Sequence, residues 1–485
     1  MKRFTCWVAL LVALVSGCAQ TRFHSPSECP LTTEVVARKP ASSEPQPEQR
    51  DGSAEPALIV HADGPKPSSS GWQPTSAQAT AEPKSLPPAP AAQIEGSGNG
   101  LSTLDSFEQL AMSLNPTLSE LQARVDAANG RWLQIGLYPN PEIAYSAPEI
   151  GNGGTPGQQG AYVQQEFVTA DKLQLNRNAA SWEVKRVEQE LSAQRLRVLT
   201  DIRAGFYSLR VAQERVTIAE ELHGIAQQAV EKAKELVKVQ EPETVLTQAE
   251  IEAELALLLL ENSRVQQAAQ WRSLMSVVGQ PDLPQQDVTG ELDVAAPQLV
   301  WEETLDRIRR ESPELAAVAA EVEQTRWAVQ RASVQAVPNV TVQAGSMYDF
   351  GTRDPIATLQ IQLPVPIFNR NQGGIAEAHA HAIAAERAVE RVELSLQQRL
   401  AAVYQQYEQA RQQASRYDAT ILKKARRNLD LNRQSYEAGE SAYLGVLTAQ
   451  RSYFQAKLAW LNALEQLWSA TVQIEGLLLK DSLQQ

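Results

Sequence analysis

Two kinds of hydrophobic spacing organise the chain. Val340, Val342 and Ala344 alternate with Thr341, Gln343 and Gly345, and Ala357, Leu359, Ile361 and Leu363 alternate with Thr358, Gln360 and Gln362. A period of two puts one set on each face of a strand, so the spans predict strands at about 338–349 and 356–364 with one apolar and one polar face. A less regular version sets Ile143, Tyr145 and Ala147 against Glu142, Ala144 and Ser146 and resumes around Ala161 to Val168, which predicts strands at about 139–149 and 161–168. The Gly-rich GNGGTPGQQG and the shorter DFGTRDP supply the turns.

The second spacing is helical. Leu209, Ala212, Val216, Ala219, His223, Ala226, Val230, Ala233 and Val237 follow steps of three and four. Val389, Val392, Leu396, Leu400, Val403, Tyr407, Ala410, Ala414, Tyr417 and Ile421 do much the same, which is the narrow seam of a coiled coil. At 1.5 Å per residue, the proline-free stretches from Lys172 to Val239 and from Gly374 to Ala438 predict helices of roughly 100 Å each.

Strands and seams recur because the body is written twice, at a spacing of about 197 residues. LNPTLSEL at Leu114 matches ESPELAAV at Glu311, and YPNPEIAY at Tyr138 matches VPNVTVQA at Val337. RAGFYSL at Arg203 matches LAAVYQQY at Leu400, and VLTQAE at Val245 matches VLTAQR at Val446. Each copy reads as helix, strand, turn, strand, very long helix, tight turn, helix. The fold class is therefore mainly α with a small β part, in two repeats at about 101–280 and 301–479. A Pro/Asp-bearing linker at about 281–300 joins them, and a short tail follows at 480–485.

The first hundred residues differ. Met1-Lys2-Arg3 is a charged start, Trp7 to Val15 an apolar run too short to span a bilayer, and Val15-Ser16-Gly17-Cys18 places small residues before a cysteine. This order resembles a bacterial lipobox, which implies a lipoprotein signal peptide over 1–17 and lipidation of Cys18. Ala19, in place of an aspartate, favours sorting to the outer membrane by the usual bacterial pattern. With Cys6 lost and Cys18 acylated, only Cys29 remains and no intrachain disulfide can form. Residues 18–100 are Pro, Ser, Ala, Glu, Gln and Gly without sustained period, as expected of a disordered tether with a reach on the order of 50 Å.

Charge and motif content then exclude several classes. The 485 residues carry 44 basic and 57 acidic side chains, a net charge of -13, with no dense basic stripe for nucleic acid. No nucleophile elbow, phosphate loop, dinucleotide fingerprint or zinc spacing is written, so neither an enzyme nor a bound cofactor is expected, and energy for any transport must come from a partner. His379 and His381 lie two apart on a helix and point to nearly opposite sides, so no metal site is expected there. His223, on the apolar seam, reads as a packing residue.

Strands of roughly ten residues with an apolar and a polar face have the size and alternation of transmembrane β-strands. Four of them cannot close a membrane barrel, so copies must associate if they cross lipid. Tyr138, Tyr145, Tyr162 and Tyr348 lie near strand ends, where an interfacial aromatic girdle would form. LPVPIFNRNQGG, Leu363 to Gly374, then marks the passage from barrel to long helix: Pro364 and Pro366 end strand pairing, and Asn369, Arg370 and Gly373 turn the chain.

Over roughly Leu101 to Leu479 the sequence resembles the TolC-like outer-membrane factors of tripartite export systems. The likeness rests on the duplication, the N/S-P-x-L openings, the Y/V-P-N stretches at Tyr138 and Val337, and SYEAGESAYLGVLTAQ, Ser435 to Gln450. LPVPIFNRNQGG is most similar to the CzcC-like branch, which partners heavy-metal-exporting RND pumps. The resemblance implies a homotrimer in which a twelve-strand outer-membrane β-barrel continues into a periplasmic α-helical barrel around an aqueous duct. Its implied partners are a periplasmic membrane-fusion adaptor, an inner-membrane RND pump and outer-membrane lipid. Its implied role is passive conduction of solutes, heavy-metal cations by the branch likeness or drugs by the wider family.

The resemblance also places the periplasmic tips. They fall at Glu241, Glu243, Thr244, Val245 and Leu246 in one repeat and at Glu437, Gly439, Glu440, Gly445, Val446 and Leu447 in the other. Where many members carry an aspartate before the Val-Leu pair, this chain has Thr244 and Gly445, so Glu241, Glu243, Glu437 and Glu440 are the acids left to line a constriction. A reading of a different class is a periplasmic coiled-coil structural lipoprotein whose strands form a small soluble sheet. The apolar face of Ala357, Leu359, Ile361 and Leu363, which a soluble sheet must cover, separates the two.

Overall fold

The computed structural model describes residues 102–154, 156–238, 242–290, 292 and 297–484. The signal peptide, Cys18, the tether and Glu241 lie outside these residues. One element order occurs twice. The first copy runs α1 (Leu104–Leu114), α2 (Pro116–Gln134), β1 (Glu142–Ser146), β2 (Gln158–Phe167), α3 (Lys172–Lys238) and α4 (Glu243–Val278). The second runs α5 (Trp301–Glu311), α6 (Pro313–Ser333), β3 (Val340–Asp349), β4 (Asp354–Gln362), α7 (Gln372–Arg416), α8 (Leu422–Glu437) and α9 (Tyr443–Glu475).

The opening helix of each copy is split in two, for a reason present in both. Asn115 and Ser312 hold extended backbone ahead of a proline, which disfavours helical φ/ψ at the preceding residue and takes the first helical position itself. The side chains then cap the new helix: Asn115 Oδ1 accepts from the Thr117 amide at 3.0 Å and Ser312 Oγ from the Leu315 amide at 3.4 Å.

Helix α3 runs 67 residues without a break, roughly 100 Å at 1.5 Å per residue. Its counterpart does not. One π-turn, Tyr417–Ile421, separates α7 from α8. The seam shows the consequence, because Leu396, Leu400, Tyr407, Ala410 and Ala414 are buried whereas Ile421 is exposed and α8 buries no residue. A π-turn inserts an extra residue, so the apolar stripe that faced α9 rotates away from it.

The largest core joins α3, α7 and α9 through Ile218, Leu396, Tyr407, Phe454 and Leu461. A second packs Phe107 of α1 on Phe206, Trp271 and Met275. The inter-repeat segment is bound into these cores. Trp271 Nε1 donates to the Leu283 carbonyl at 3.0 Å, Tyr404 Oη to Leu299 O at 3.1 Å and Tyr407 Oη to Pro297 O at 2.7 Å. Buried tyrosine and tryptophan combine a large apolar body with one polar atom that needs a partner, and here the partner is the linker backbone. The C-terminal residues are also held, with Asp201 accepting from the Asp481 amide at 3.1 Å and the Ser482 amide at 2.6 Å.

Candidate functional site

The four strands form one antiparallel sheet in the order β1-β2-β3-β4. Turn chemistry sets the register. Between β3 and β4, Asp349 Oδ1 accepts from the Gly351 amide at 2.7 Å and the Thr352 amide at 3.3 Å. Between β1 and β2, Gly157 holds φ 74°, and a Cβ there would meet the Glu149 backbone at 2.5 Å, so only glycine fits.

Register then separates the sheet into an apolar and a polar face. Ile143 of β1 lies opposite Val163, Val163 opposite Ala344, and Ala344 opposite Leu359, so one row across all four strands is apolar. The neighbouring row is Glu142, Gln164, Gln343 and Gln360, polar throughout. Directly opposed residues share a face, so successive rows point to opposite sides. The apolar side stays open in the chain, with Ile143 79 % and Leu359 72 % exposed. Among the described residues no helix is long and apolar enough to cross a membrane.

Three sequence expectations change in detail. Strand β1 has five residues, fewer than its alternation spans, because Pro139, Pro141 and Pro148 flank it and cannot donate to a ladder. Strand β2 starts at Gln158, earlier than the apolar pattern suggested. Tyr162 stands opposite Ala144 and Gly345, in a row alternate to that of Tyr145, and so falls on the polar face rather than in an aromatic girdle. Tyr348 packs edge-on against Phe350 with ring centroids 5.0 Å apart, beside the β3–β4 turn.

The passage from sheet to long helix differs between the copies. β4 ends at Gln362, two residues before Pro364, and Pro366 follows. The Asn371 amide donates to Asn369 Oδ1 at 3.0 Å, and the Arg370 amide to Gln372 Oε1 at 2.9 Å. Asn371 itself has φ 60°, and its Nδ2 donates to the Ala332 carbonyl at 2.8 Å. Gly373 has open space around it, whereas a Cβ on Gly374 would fall 2.5 Å from Asn371 Oδ1. Of the two glycines it is Gly374 that lies against the Asn371 side chain.

At the other junction Lys172 is buried and donates from Nζ to Asn339 Oδ1 at 2.7 Å and to the Val337 carbonyl. Asn339 Nδ2 donates in turn to Glu166 Oε1 at 2.7 Å. Burial, then the neighbouring Arg331, lowers the Lys172 pKa, and Glu166 offsets part of the effect. This cluster escaped sequence reasoning because its members lie in separate repeats. The only hint was the repeated Pro-Asn pair at Asn140 and Asn339.

The residues assigned to the tips sort by burial. Pro242 precedes α4 and Gly439, at φ 76°, ends α8 with the Glu440 amide bonded back to Ser435 O at 2.8 Å. Glu243, Thr244, Glu437 and Glu440 are exposed, Val245 and Leu246 half-buried, and Val446 and Leu447 buried. Leu447 lines a cleft of about 200 Å³ with Leu222 of α3, Leu255 of α4 and Phe454 of α9. Gly445 faces α8, where a Cβ would meet Asn432 Oδ1 at 3.1 Å.

Comparison with known proteins is consistent with this geometry. The chain is 28% identical over 382 residues to the cobalt-zinc-cadmium resistance protein CzcC of Cupriavidus metallidurans, covering 78% of this chain and 90% of that protein. Its fold is that of CusC, with a TM-score of 0.65 at 17% identity over 78% of this chain and 92% of that one. The outer membrane protein VceC of Vibrio cholerae matches with a TM-score of 0.63 at 19% identity, over 77% and 95% of the two chains. Residues 304–478 match the family model of outer membrane efflux proteins.

Proposed function

We propose that the protein is the exit duct of a tripartite efflux system: a trimer whose twelve strands close a barrel in the outer membrane and whose helices form a periplasmic barrel below it. The carrying observation is the pair of rows Ile143-Val163-Ala344-Leu359 and Glu142-Gln164-Gln343-Gln360 on a sheet with two open edges. Each backbone group left unpaired in hydrocarbon costs several kcal/mol, so an open edge the length of β4, nine residues, costs on the order of ten kcal/mol or more. A domain's whole net stability is about 5–15 kcal/mol, so lipid exposure of the apolar face requires the edges to meet those of other copies. Closure puts the glutamine row around a wet lumen.

The chain conducts passively and takes its energy from an inner-membrane RND pump through a periplasmic adaptor. The adaptor docks at the tips around Gly439 and Leu447, with Glu243, Glu437 and Glu440 forming an acidic constriction that includes Glu241. Cys18 carries the lipid anchor. The likeness to CzcC supports heavy-metal cations as the solute.

Purified protein in detergent is expected to be trimeric by light scattering and to conduct in planar bilayers once the tips are loosened, with cation preference falling in Glu437→Gln and Glu440→Gln. A monomer with no conductance defeats the reading. Metal tolerance restored to a strain lacking its own exit duct, with the pump and adaptor supplied, tests the solute.

A further inference from the structure

The apolar stripe of β4 does not stop where the strand does. Leu359 and Ile361 lie within the ladder, which ends at Gln362, yet Leu363, Val365 and Ile367 continue the every-second-residue apolar pattern beyond it. All five are at least half exposed, and Phe368, next in the chain, is 89 % exposed. Nothing in the corresponding stretch of the first copy, Val168 to Asp171, repeats this run.

The backbone of the extension suits a poorly hydrating environment. Pro364 and Pro366 have no N–H, and the Ile367 amide is bonded locally to the Val365 carbonyl at 2.9 Å. Of the four residues from Pro364 to Ile367, only Val365 retains a donor to satisfy. Exposed apolar chain in water gains nothing from such an arrangement, whereas chain near hydrocarbon must limit its unpaired polar groups. Arg370 follows, exposed, and among the described residues no carboxylate pairs with its guanidinium.

Length locates the segment. The ten residues of β3 rise about 33 Å, which at the usual barrel tilt matches the roughly 25 Å apolar band of an outer-membrane barrel. The band is therefore filled before Leu363, and the residues that follow fall at the level of the headgroup region, at the helix-side end of the sheet.

We infer that Leu363–Phe368 is an interfacial membrane anchor, its apolar side chains seated at the acyl–headgroup boundary of the periplasm-facing leaflet and Arg370 against lipid phosphate. The occupant of this surface is phospholipid, and the inference rests on the barrel reading above. Each trimer would carry three such wedges and fix the depth of the duct at the level where its helices begin. Leu363 follows Leu359 and Ile361 in the alternating pattern, and the guanidinium complements an anionic headgroup layer.

The test uses full-length protein in phospholipid vesicles, carrying single nitroxide labels at Leu359→Cys, Leu363→Cys, Ile367→Cys, Phe368→Cys and, as a helix reference, Ile383→Cys. The background is Cys29→Ser, chosen so that the protein without a reporter cysteine takes up no label. Accessibility to oxygen, which partitions into lipid, is compared with that to a water-soluble nickel chelate. Oxygen is expected to dominate at 359, 363, 367 and 368, with depth decreasing in that order, and the chelate at 383. Oxygen dominance at 359 with chelate dominance at 367 and 368 overturns the anchor while leaving the barrel intact. Chelate dominance at 359 as well overturns the barrel reading. Low accessibility to both reagents at 367 and 368, with spin–spin broadening between copies, assigns the surface to a neighbouring subunit and also overturns the anchor.

Discussion

Asn339 Oδ1 accepts from Lys172 Nζ at 2.7 Å across 167 residues of sequence, at the point where the sheet of one repeat meets the long helix of the other. Asn339 also donates to Glu166, so one amide satisfies a buried ammonium and a carboxylate together. Thr169 adds two bonds to the same corner, its amide to Asn339 Oδ1 at 3.3 Å and its hydroxyl to the Pro338 carbonyl at 2.6 Å.

Asn339→Ala removes the acceptor from a buried cation and is expected to cost about 1–3 kcal/mol, the range for stranding a buried polar partner. Asn140→Ala, at the matching position of the first repeat, is exposed and is expected to be near neutral. Denaturation of the two variants side by side checks this. Equal effects would show that the Pro-Asn motif acts locally rather than through Lys172.

Lys172 also gives a pH signature. Its folded pKa is lowered from 10.5, chiefly by burial, so between the lowered value and 10.5 the unfolded chain holds a proton that the folded chain has released. Stability therefore rises with pH through that window and levels off above it. The stability of wild type relative to Lys172→Met is expected to increase as the solution is made alkaline. A difference that stays flat or shrinks would contradict the assignment.

Adjacent glycines should respond with opposite sign. Gly373→Ala meets open space inside a helix and is expected to stabilise by up to about 1 kcal/mol. Gly374→Ala drives a methyl to 2.5 Å from Asn371 Oδ1, the side chain that bonds Ala332 O, and is expected to destabilise by about 1–3 kcal/mol. Thermal melts of the two proteins decide it.

Tyr407→Phe keeps the buried ring but strands Pro297 O and the Leu299 amide, which its hydroxyl meets at 2.7 and 3.2 Å. A loss of about 1–3 kcal/mol is expected. Amide exchange should quicken at Leu299 before it does in α7, because the helix keeps its own hydrogen bonds while the linker loses its fastening.

Much of the architecture was legible because it rests on periodicity. The alternation in β3 and β4, the three-four spacing of the seam and the duplicated landmarks depend on residue order alone, and a residue's side of a strand follows from its parity. Tyr162 illustrates the limit: proximity to a strand end suggested a girdle, and only the register, which pairs it with Ala144 and Gly345, assigned it a face. Ile421 illustrates another, because a single π-turn rotates a seam that the sequence continues without interruption. The sequence by itself therefore determined the repeated element order, the strand faces and the unbroken helix α3. What only the tertiary structure decided was which residues meet, namely Lys172 with Asn339, Tyr407 with the linker and Gly374 with Asn371, since such contacts depend on packing between segments far apart in the chain.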